Sequence, residues 1–265
     1  MKIGIMGAAG RMGRMLVAAV NAAQGGEVIG GVEAESHPDL GADLGALADI
    51  GPLGVVLTSD VEALFQTADV VVDFTVPFVT AQNAGLAQKT NTKMVIGTTG
   101  LDDDQQQAIA NASKTVAMVQ AANYSVGVNV LMGLVEQTAR ILPEQYDIEV
   151  LEMHHHHKID APSGTALALG QAAADGRGVN LNDVADKVRD GNVGARRQGD
   201  IGFATLRGGD VVGDHTVMFA GPGERVEITH KAASREVFAN GAVRAALWAG
   251  NQTPGLYSMQ DVLGF

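Results

Sequence analysis

The chain has 265 residues, enough for one large or two modest domains, and its 46% hydrophobic and 18% charged composition is ordinary for a globular protein. A formal net charge of −12 leaves no basic footprint for nucleic acid, so an anionic ligand must be held by local positive charge. The absence of cysteine excludes disulfides, thiolate metal sites and a thiol nucleophile, and with them dehydrogenases that work through a covalent thioester.

The first residues, Met-Lys-Ile-Gly-Ile-Met-Gly, lack the long apolar stretch of a signal peptide, and no apolar run approaches membrane-spanning length, which reads as a cytoplasmic protein with no membrane partner. Lys2–Met6 is a strand, Gly7-Ala-Ala-Gly10-Arg-Met-Gly13 a glycine-rich turn, and Met12, Met15, Leu16, Ala19 and Val20 recur at helical spacing up to Gly25-Gly26. Glu27–Val32 is a second strand, which completes a βαβ unit. Strands then fall at Gly54–Thr58, Val70–Asp73, Met94–Ile96 and Val116–Val119. Between them, Ser59-Asp-Val-Glu62 has the capping-box pattern of a helix start, and Phe78–Gln88 and Asp102–Ser113 read as helices.

The alternation stops after residue 125. Val126–Leu142 is one long helix, Asp147–Leu151 a strand and Thr165–Ala174 a helix. Asp175–Gly199, rich in Gly, Asn, Asp and Arg, reads as an irregular surface loop. Three strands follow, at Gly202–Arg207, Val211–Phe219 and Arg225–Lys231, before a last helix over Glu236–Ala249. The expected class is α/β: a Rossmann-like doubly wound parallel sheet over 1–125, with 235–265 packing back onto it, plus a C-terminal α+β domain with an open mixed sheet over 126–234.

Gly7, Gly10 and Gly13 stand where a dinucleotide's pyrophosphate would meet a helix N-terminus, although the spacing is G-x-x-G-x-x-G rather than G-x-G-x-x-G. Glu33 ends the next strand twenty positions beyond Gly13, where a carboxylate accepts hydrogen bonds from an adenosine ribose. Ala34, Glu35 and Ser36 follow it without a cation for a 2′-phosphate, which favours NADH over NADPH; Arg11 in the loop is the one nearby candidate for a phosphate. Gly97-Thr98-Thr99-Gly100 and Ala121-Ala122-Asn123-Tyr124 follow two further strands, where ligands of such sheets bind, and read equally as ordinary turns. Asp73, before Phe74 and Thr75, reads as a cap or turn residue.

The stretch Glu149-Val-Leu-Glu152-Met-His154-His155-His156-His157-Lys158-Ile-Asp160-Ala-Pro162-Ser163-Gly164-Thr165 concentrates four His, a Lys and an Asp ahead of a helix start. Adjacent His on an extended segment face opposite ways, so they cannot all ligate one metal ion. A solvated loop remains the plain alternative. Cations beside a helix N-terminus suit an anionic small molecule, and imidazoles move protons near neutral pH. The residues by themselves leave open which His acts.

This stretch resembles the signature of the 4-hydroxy-tetrahydrodipicolinate (dihydrodipicolinate) reductase family of diaminopimelate and lysine biosynthesis. Val71-Val-Asp-Phe-Thr75, Val95-Ile-Gly-Thr-Thr-Gly100, Ala121-Ala-Asn-Tyr-Ser-Val-Gly-Val-Asn129, Ile201–Arg207 and Glu227–Lys231 are similar to the family's segments, in the same order and over essentially the whole chain. The resemblance implies an NAD(P)H-dependent oxidoreductase acting on a cyclic dicarboxylate and assembled as a homotetramer through its C-terminal sheet. It implies His154 as acid/base, Lys158 as proton donor, and His155, Lys158, Ser163, Gly164 and Thr165 as substrate-binding residues. It also implies cofactor contacts from Gly7, Ala8, Ala9, Gly10, Arg11, Met12, Glu33, Gly97, Thr98, Thr99, Ala121, Ala122, Asn123 and Tyr124. Ala34 and Val76 stand where relatives often carry a basic residue, which again points away from NADPH, and His156 and His157 read as bystanders. The implied hydride transfer between domains places hinges near Ser125–Gly127 and Ala232–Glu236. Two other functions compete: a different two-domain NAD(P)-dependent oxidoreductase, which leaves the His–Lys stretch unexplained, and an NAD-sensing regulator, for which no basic helix or spare domain is present.

Overall fold

Val70-Val71-Val72 is a β-branched run with no polar break, a pattern that suits a strand covered on both faces. In the computed structural model, which describes residues 1–265, that run is β4 (Val70–Asp73), the middle strand of a seven-stranded sheet. Its companions are β1 (Lys2–Met6), β2 (Glu27–Val32), β3 (Leu57–Thr58), β5 (Lys93–Ile96), β6 (Ala117–Gln120) and β12 (Gly255–Tyr257). All pair in parallel in the order β12-β6-β5-β4-β1-β2-β3. Alternate residues of β4 feed two cores. Val70 and Val72 meet α1 (Arg11–Ala22) and α9 (Glu236–Ala249) through Leu16, Val20, Ala242 and Ala246; Val71 meets α3 (Val61–Thr67), α4 (Pro77–Thr90) and α5 (Asp103–Ala112) through Leu64, Phe65, Ala84 and Ile109. This is the doubly wound parallel arrangement, and it belongs to a compact unit made of Met1–Val126 and Glu236–Phe265.

The second unit is Gly127–Arg235. Its mixed sheet runs in the order β11 (Glu224–Ala232), β10 (Gly213–Gly221), β7 (Asp147–His154), β9 (Ile201–Arg207), β8 (Ala185–Asp186). The β11–β10 and β10–β7 pairs are antiparallel, and β7–β9 and β9–β8 are parallel. One face is covered by α6 (Val126–Ile141) and α7 (Gly164–Arg177), whose Leu131, Val135, Ala166 and Leu169 pack on Ile148, Val150, Val217 and Phe219. The other face carries Leu151, Met153, Thr216, Met218 and the exposed Leu206, with no helix over it.

Three local expectations are corrected. The strand expected at Gly54–Thr58 shrinks to Leu57–Thr58, because the Asp43 carboxylate gathers the N–H groups of Gly45, Ala46, Leu53 and Gly54 and bends the chain there. That carboxylate also caps the short α2 (Leu44–Leu47), which hydrophobic spacing did not reveal. The cap of α3 is Asp60, accepting from the Ala63 N–H at 2.9 Å, rather than Ser59. Asp175–Gly199 is not loose: α7 extends to Arg177, and α8 (Leu181–Val184) and β8 follow it. Beyond them Arg189 makes a bidentate pair with Glu149 at 2.8 and 3.0 Å, and Arg196 binds Asp147 and Glu149. Scattered arginines in a polar stretch gave no sign of such acidic partners some forty residues earlier in the chain. The short β12 and α10 (Met259–Leu263) near the C-terminus were likewise not expected.

Two glycines separate packing from propensity. A Cβ on Gly13 would stand 2.1 Å from the Gly7 carbonyl oxygen and 2.6 Å from the Ala8 Cα, both backbone atoms that cannot yield cheaply. One on Gly85, inside α4, would meet nothing within 4 Å. Thermal unfolding should therefore show Gly13→Ala destabilised by about 1–3 kcal/mol and Gly85→Ala stabilised by about 0.5–1 kcal/mol. Equal effects at the two positions would contradict the close approach of α1 to its turn.

Candidate active site

Strand alternation decides what β7 buries. Ile148, Val150, Glu152 and His154 share the packed face, and the last two are 1% and 8% exposed. The Glu152 carboxylate makes four contacts. Oε2 lies 2.6 Å from His154 Nδ1 and 2.8 Å from Arg207 Nη1, while Oε1 lies 2.9 Å from Arg207 Nη2 and 3.0 Å from the Ser163 N–H. Burial pulls the Glu152 carboxyl upward, but hydrogen bonds from Arg207, His154 and Ser163 outweigh it and hold the group below the ordinary glutamate range.

After His154 the chain turns through His155–Pro162 to α7. This loop is tied to the segment before β10: the His155 N–H donates to the Val211 carbonyl at 2.8 Å, and His156 Nδ1 lies 2.9 Å from the Gly209 carbonyl. A carbonyl only accepts, so His156 carries its proton on Nδ1 and anchors the loop, a role its sequence position did not suggest. His157 packs against His156 with ring centroids 3.9 Å apart and the rings tilted by 50°. Lys158 donates to Asp160 Oδ1 at 2.8 Å, and this bond leads the causes that lower the Asp160 carboxyl. Arg207 also donates to the Asp160 backbone carbonyl at 2.7 Å.

Ser163 caps α7: its Oγ accepts from the Ala166 N–H at 3.1 Å and lies 3.2 Å from His215 Nε2. The residue is 2% exposed, so its hydroxyl is engaged within the protein and what it offers outward is the helix start it shapes. Gly164 follows in the open, with no atom within 4 Å of where a Cβ would stand, and Thr165 completes the first turn. His215, on β10, is 4% exposed and packs edge-on to His154 at 5.1 Å. Burial, then the neighbouring His154, push the His215 imidazole down to about 4, so it is neutral at neutral pH. Burial and the nearby Arg235 lower His155 in the same direction.

Unit 2 therefore brings His154, His155, Lys158, Ser163, Gly164 and Thr165 together around one loop and one helix start. Sequence reasoning did not assign Glu152, Arg207 or His215. A signal for Glu152 was present, since a Glu two positions before a His puts a charge on the apolar face of the strand. Arg207 and His215 reach the site only through the pairing of β9 and β10 with β7, which one sequence does not reveal.

In unit 1 the glycine turn has the shape of a phosphate cradle. Gly7 has φ +66°, Gly13 lets α1 close on the turn, and no side chain caps the Gly10 end of α1, which leaves first-turn N–H groups outward. Ala8 and Ala9 are buried in the core, with their N–H groups given to the Val32 carbonyl and the Glu33 carboxylate, while Gly10 and Arg11 are exposed and Met12 is half-buried. The Glu33 carboxylate accepts from the Ala9 N–H at 3.2 Å and borders a cavity of about 480 Å³ with Gly7, Glu35, Ser59, Thr75 and Gln82. No Lys or Arg lines this cavity; Arg11 lines a separate one with Arg14 and Met15.

The two remaining loops follow β5 and β6. Gly97 packs on the Phe74 ring, Thr98 is buried with its hydroxyl accepting from Thr80 at 2.8 Å, and Thr99 is exposed. Ala121 and Ala122 lead to Asn123, whose side chain accepts from the Ser125 N–H at 2.8 Å. Tyr124 is buried, with its hydroxyl 2.8 and 2.9 Å from the Ile96 and Val119 carbonyls, so its ring clamps β5 to β6. Asp73 is a turn residue: its carboxylate accepts from the Thr75 N–H and hydroxyl and from Asn83.

Comparison with known proteins agrees along the full length. Family models described as dihydrodipicolinate reductase, N-terminus, and dihydrodipicolinate reductase, C-terminus, match residues 1–124 and 127–263. The chain is 52% identical over 264 residues to the 4-hydroxy-tetrahydrodipicolinate reductase of Afipia carboxidovorans, covering 100% of this chain and 97% of that one. It is 53% identical over 266 residues to that of Pseudomonas fluorescens, covering 99% and 98%. Among solved structures it shares the fold of a dipicolinate-bound dihydrodipicolinate reductase from Paenisporosarcina sp. TG-14, with TM-score 0.79, 24% identity and 98% of each chain covered. GenD2 from gentamicin A biosynthesis, solved with NAD, is a more distant fold match at TM-score 0.57 and 14% identity over 96% of this chain and 89% of that one. With both halves matched in order and relatives above half identity over their whole length, the chain belongs to the dihydrodipicolinate reductase family.

Proposed function

We propose that the protein reduces 4-hydroxy-tetrahydrodipicolinate to tetrahydrodipicolinate with a reduced nicotinamide cofactor, in the cytoplasm and as a step toward diaminopimelate and lysine. The observation that carries this reading is the convergence, within Glu152–Thr165, of a buried imidazole, an ammonium group and a helix start. One short stretch thereby supplies a proton-transfer group, a second proton donor and a carboxylate-binding end, which a hydroxylated cyclic dicarboxylate requires.

A bound nicotinamide supplies hydride to C4 of the ring. The protein's own groups do the rest. Loss of water from C4 puts a proton on the departing hydroxyl as one leaves the ring carbon between C4 and the C=N group, and addition to the conjugated ring leaves negative charge toward that same carbon and the ring nitrogen. His154 and Lys158 deliver those protons and stabilise that charge, with Lys158 exchanging its Asp160 partner for the substrate. A substrate carboxylate sits against the Gly164–Thr165 turn that Ser163 shapes, and neutral His155 donates a further hydrogen bond. Lys158→Ala should lower kcat by roughly 100-fold or more while leaving NADH affinity within about 3-fold. Steady-state kinetics with a separate NADH titration checks this, and unchanged turnover removes Lys158 from the chemistry.

The cofactor is assigned to Gly7–Met12 for the pyrophosphate, Glu33 for the adenosine ribose, and Gly97–Thr99 with Ala121–Tyr124 for the nicotinamide end. NADH is preferred over NADPH. The cavity beside Glu33 contains Glu35 and no cation, so a 2′-phosphate would meet two carboxylates there. The dissociation constant of NADPH should exceed that of NADH by about 10-fold or more, and Glu33→Ala should weaken NADH while narrowing the gap. Equal affinities in the parent protein defeat the assignment.

The uncovered face of the unit 2 sheet is the surface we assign to a homotetramer. Leu151, Met153 and Met218 lie along it with Thr216 between the strands' ends, an apolar content that suits burial against like sheets. Leu151→Asp should reduce the mass seen by analytical ultracentrifugation from four chains to fewer. A monomeric parent protein rules the assembly out.

A further inference from the structure

The Glu152 carboxylate joins β7, β9 and the start of α7 through His154, Arg207 and Ser163, yet the chemistry above asks nothing of it. We infer that Glu152 is a positioning residue that fixes the tautomer of His154, with Arg207 holding the carboxylate in place. The inference rests on the reading of His154 as the acid/base group.

Arg207 presents two N–H groups to the two oxygens of Glu152, at 2.8 and 2.9 Å, and the Ser163 N–H adds a third donor at 3.0 Å. Guanidinium and amide can only donate, so Glu152 must accept from all three, as an ionised carboxylate does. Oε2 then has only lone pairs for His154 Nδ1 at 2.6 Å, which requires the imidazole proton to sit on Nδ1. Nε2 is left with its lone pair on the side facing Gly213, where a Cβ would stand 3.0 Å away. His154 can gain a proton there and release it, and the resulting imidazolium keeps its counter-charge at Nδ1 throughout.

The other groups facing His154 make this arrangement necessary. His215 on β10 approaches edge-on, Lys158 and His155 stand in the following loop, and Arg207 comes from β9. Of these, Lys158 and Arg207 are cationic, and each disfavours a protonated imidazole nearby. Glu152 is the buried anion in direct contact with the ring. Gln at 152 keeps the shape and removes that charge. An amide offers one acceptor oxygen and one donor nitrogen, so it cannot serve Arg207, Ser163 and Nδ1 together.

The test combines kinetics with nitrogen-15 NMR of histidine-labelled full-length protein, its His154 signals identified by their loss in His154→Gln. The expected parent spectrum shows His154 protonated at Nδ1. In Glu152→Gln, kcat should fall by roughly 100- to 10,000-fold, with KM and NADH affinity within about 3-fold. The limb of the pH profile that reports His154 protonation should move to lower pH, and Glu152→Asp should recover part of the rate. A parent spectrum with the proton on Nε2 overturns the inference, and it decides the matter even if Glu152→Gln does not fold. So does a Glu152→Gln enzyme whose rate is unchanged, or whose rate falls with the pH limb unmoved, since a merely structural role produces the latter. Unchanged turnover in His154→Gln instead sinks the acid/base reading itself, and leaves the Nδ1 tautomer as a separate fact.

Discussion

A single buried carboxylate organises unit 2 of this molecule. Glu152 lies on the face of β7 that otherwise carries Ile148 and Val150, and at 1% exposure it has lost its water. An isolated charge there would be untenable, and removing one partner of such a buried pair costs about 3–5 kcal/mol. Arg207 answers the charge from β9, the Ser163 N–H from the start of α7, and His154 from two residues along β7. Strand, neighbouring strand and helix start are thus set relative to one another by the same two oxygens. Arg207 extends the arrangement to the loop through the Asp160 carbonyl, and Lys158 closes it through the Asp160 carboxylate.

Unit 1 uses a comparable device for a different end. Asp73 is fully buried at the end of β4 and receives the Thr75 N–H and hydroxyl and the Asn83 amide. From Thr75 the hydroxyls of Thr80 and Thr98 continue to the loop after β5. Loops at the C-terminal ends of parallel strands are where ligands of such sheets bind, and they are held least by the sheet itself. A buried acid beneath them fixes their geometry without placing a charge in the binding surface. Both units therefore rely on buried carboxylates that accept from several of the protein's own donors at once.

This explains which parts were legible in the sequence. Elements whose cause is local were readable: the β-branched run of β4, the helical segment from Asp102, the glycine turn before α1 and the charge cluster before α7. The misses share a long-range cause. Asp43 shortened β3 by collecting N–H groups ten residues away, and Arg189 and Arg196 ordered a polar stretch by reaching back to Glu149. In the site, the His154–Lys158 cluster was visible as a cluster, but the anchoring contact of His156 was not, and His215 and Arg207 entered through strand pairing. Glu152 lay in plain view, but its meaning depended on knowing which face of β7 is buried. The part Tyr124 plays as a clamp between β5 and β6 was equally hidden, because its hydroxyl partners lie on both strands.

A protein of net charge −12 can take the proposed dianion only through local attraction. Arg207 is matched by Glu152, and Lys158 by Asp160, so these four contribute little net charge before substrate arrives. His155 and His215 are held in the neutral direction by burial and by neighbouring cations. What remains attractive is the start of α7, whose N–H dipoles carry no titratable group and so work across the physiological range. Lys158 is half-buried while Asp160 is largely exposed, so a carboxylate arriving from solvent competes for an ammonium group whose present partner is well hydrated. In the proposed reading the anion displaces a weak surface pair and meets no free positive patch. A standing patch would attract every small anion, whereas an exchangeable pair beside a fixed helix start rewards a ligand that engages both at once.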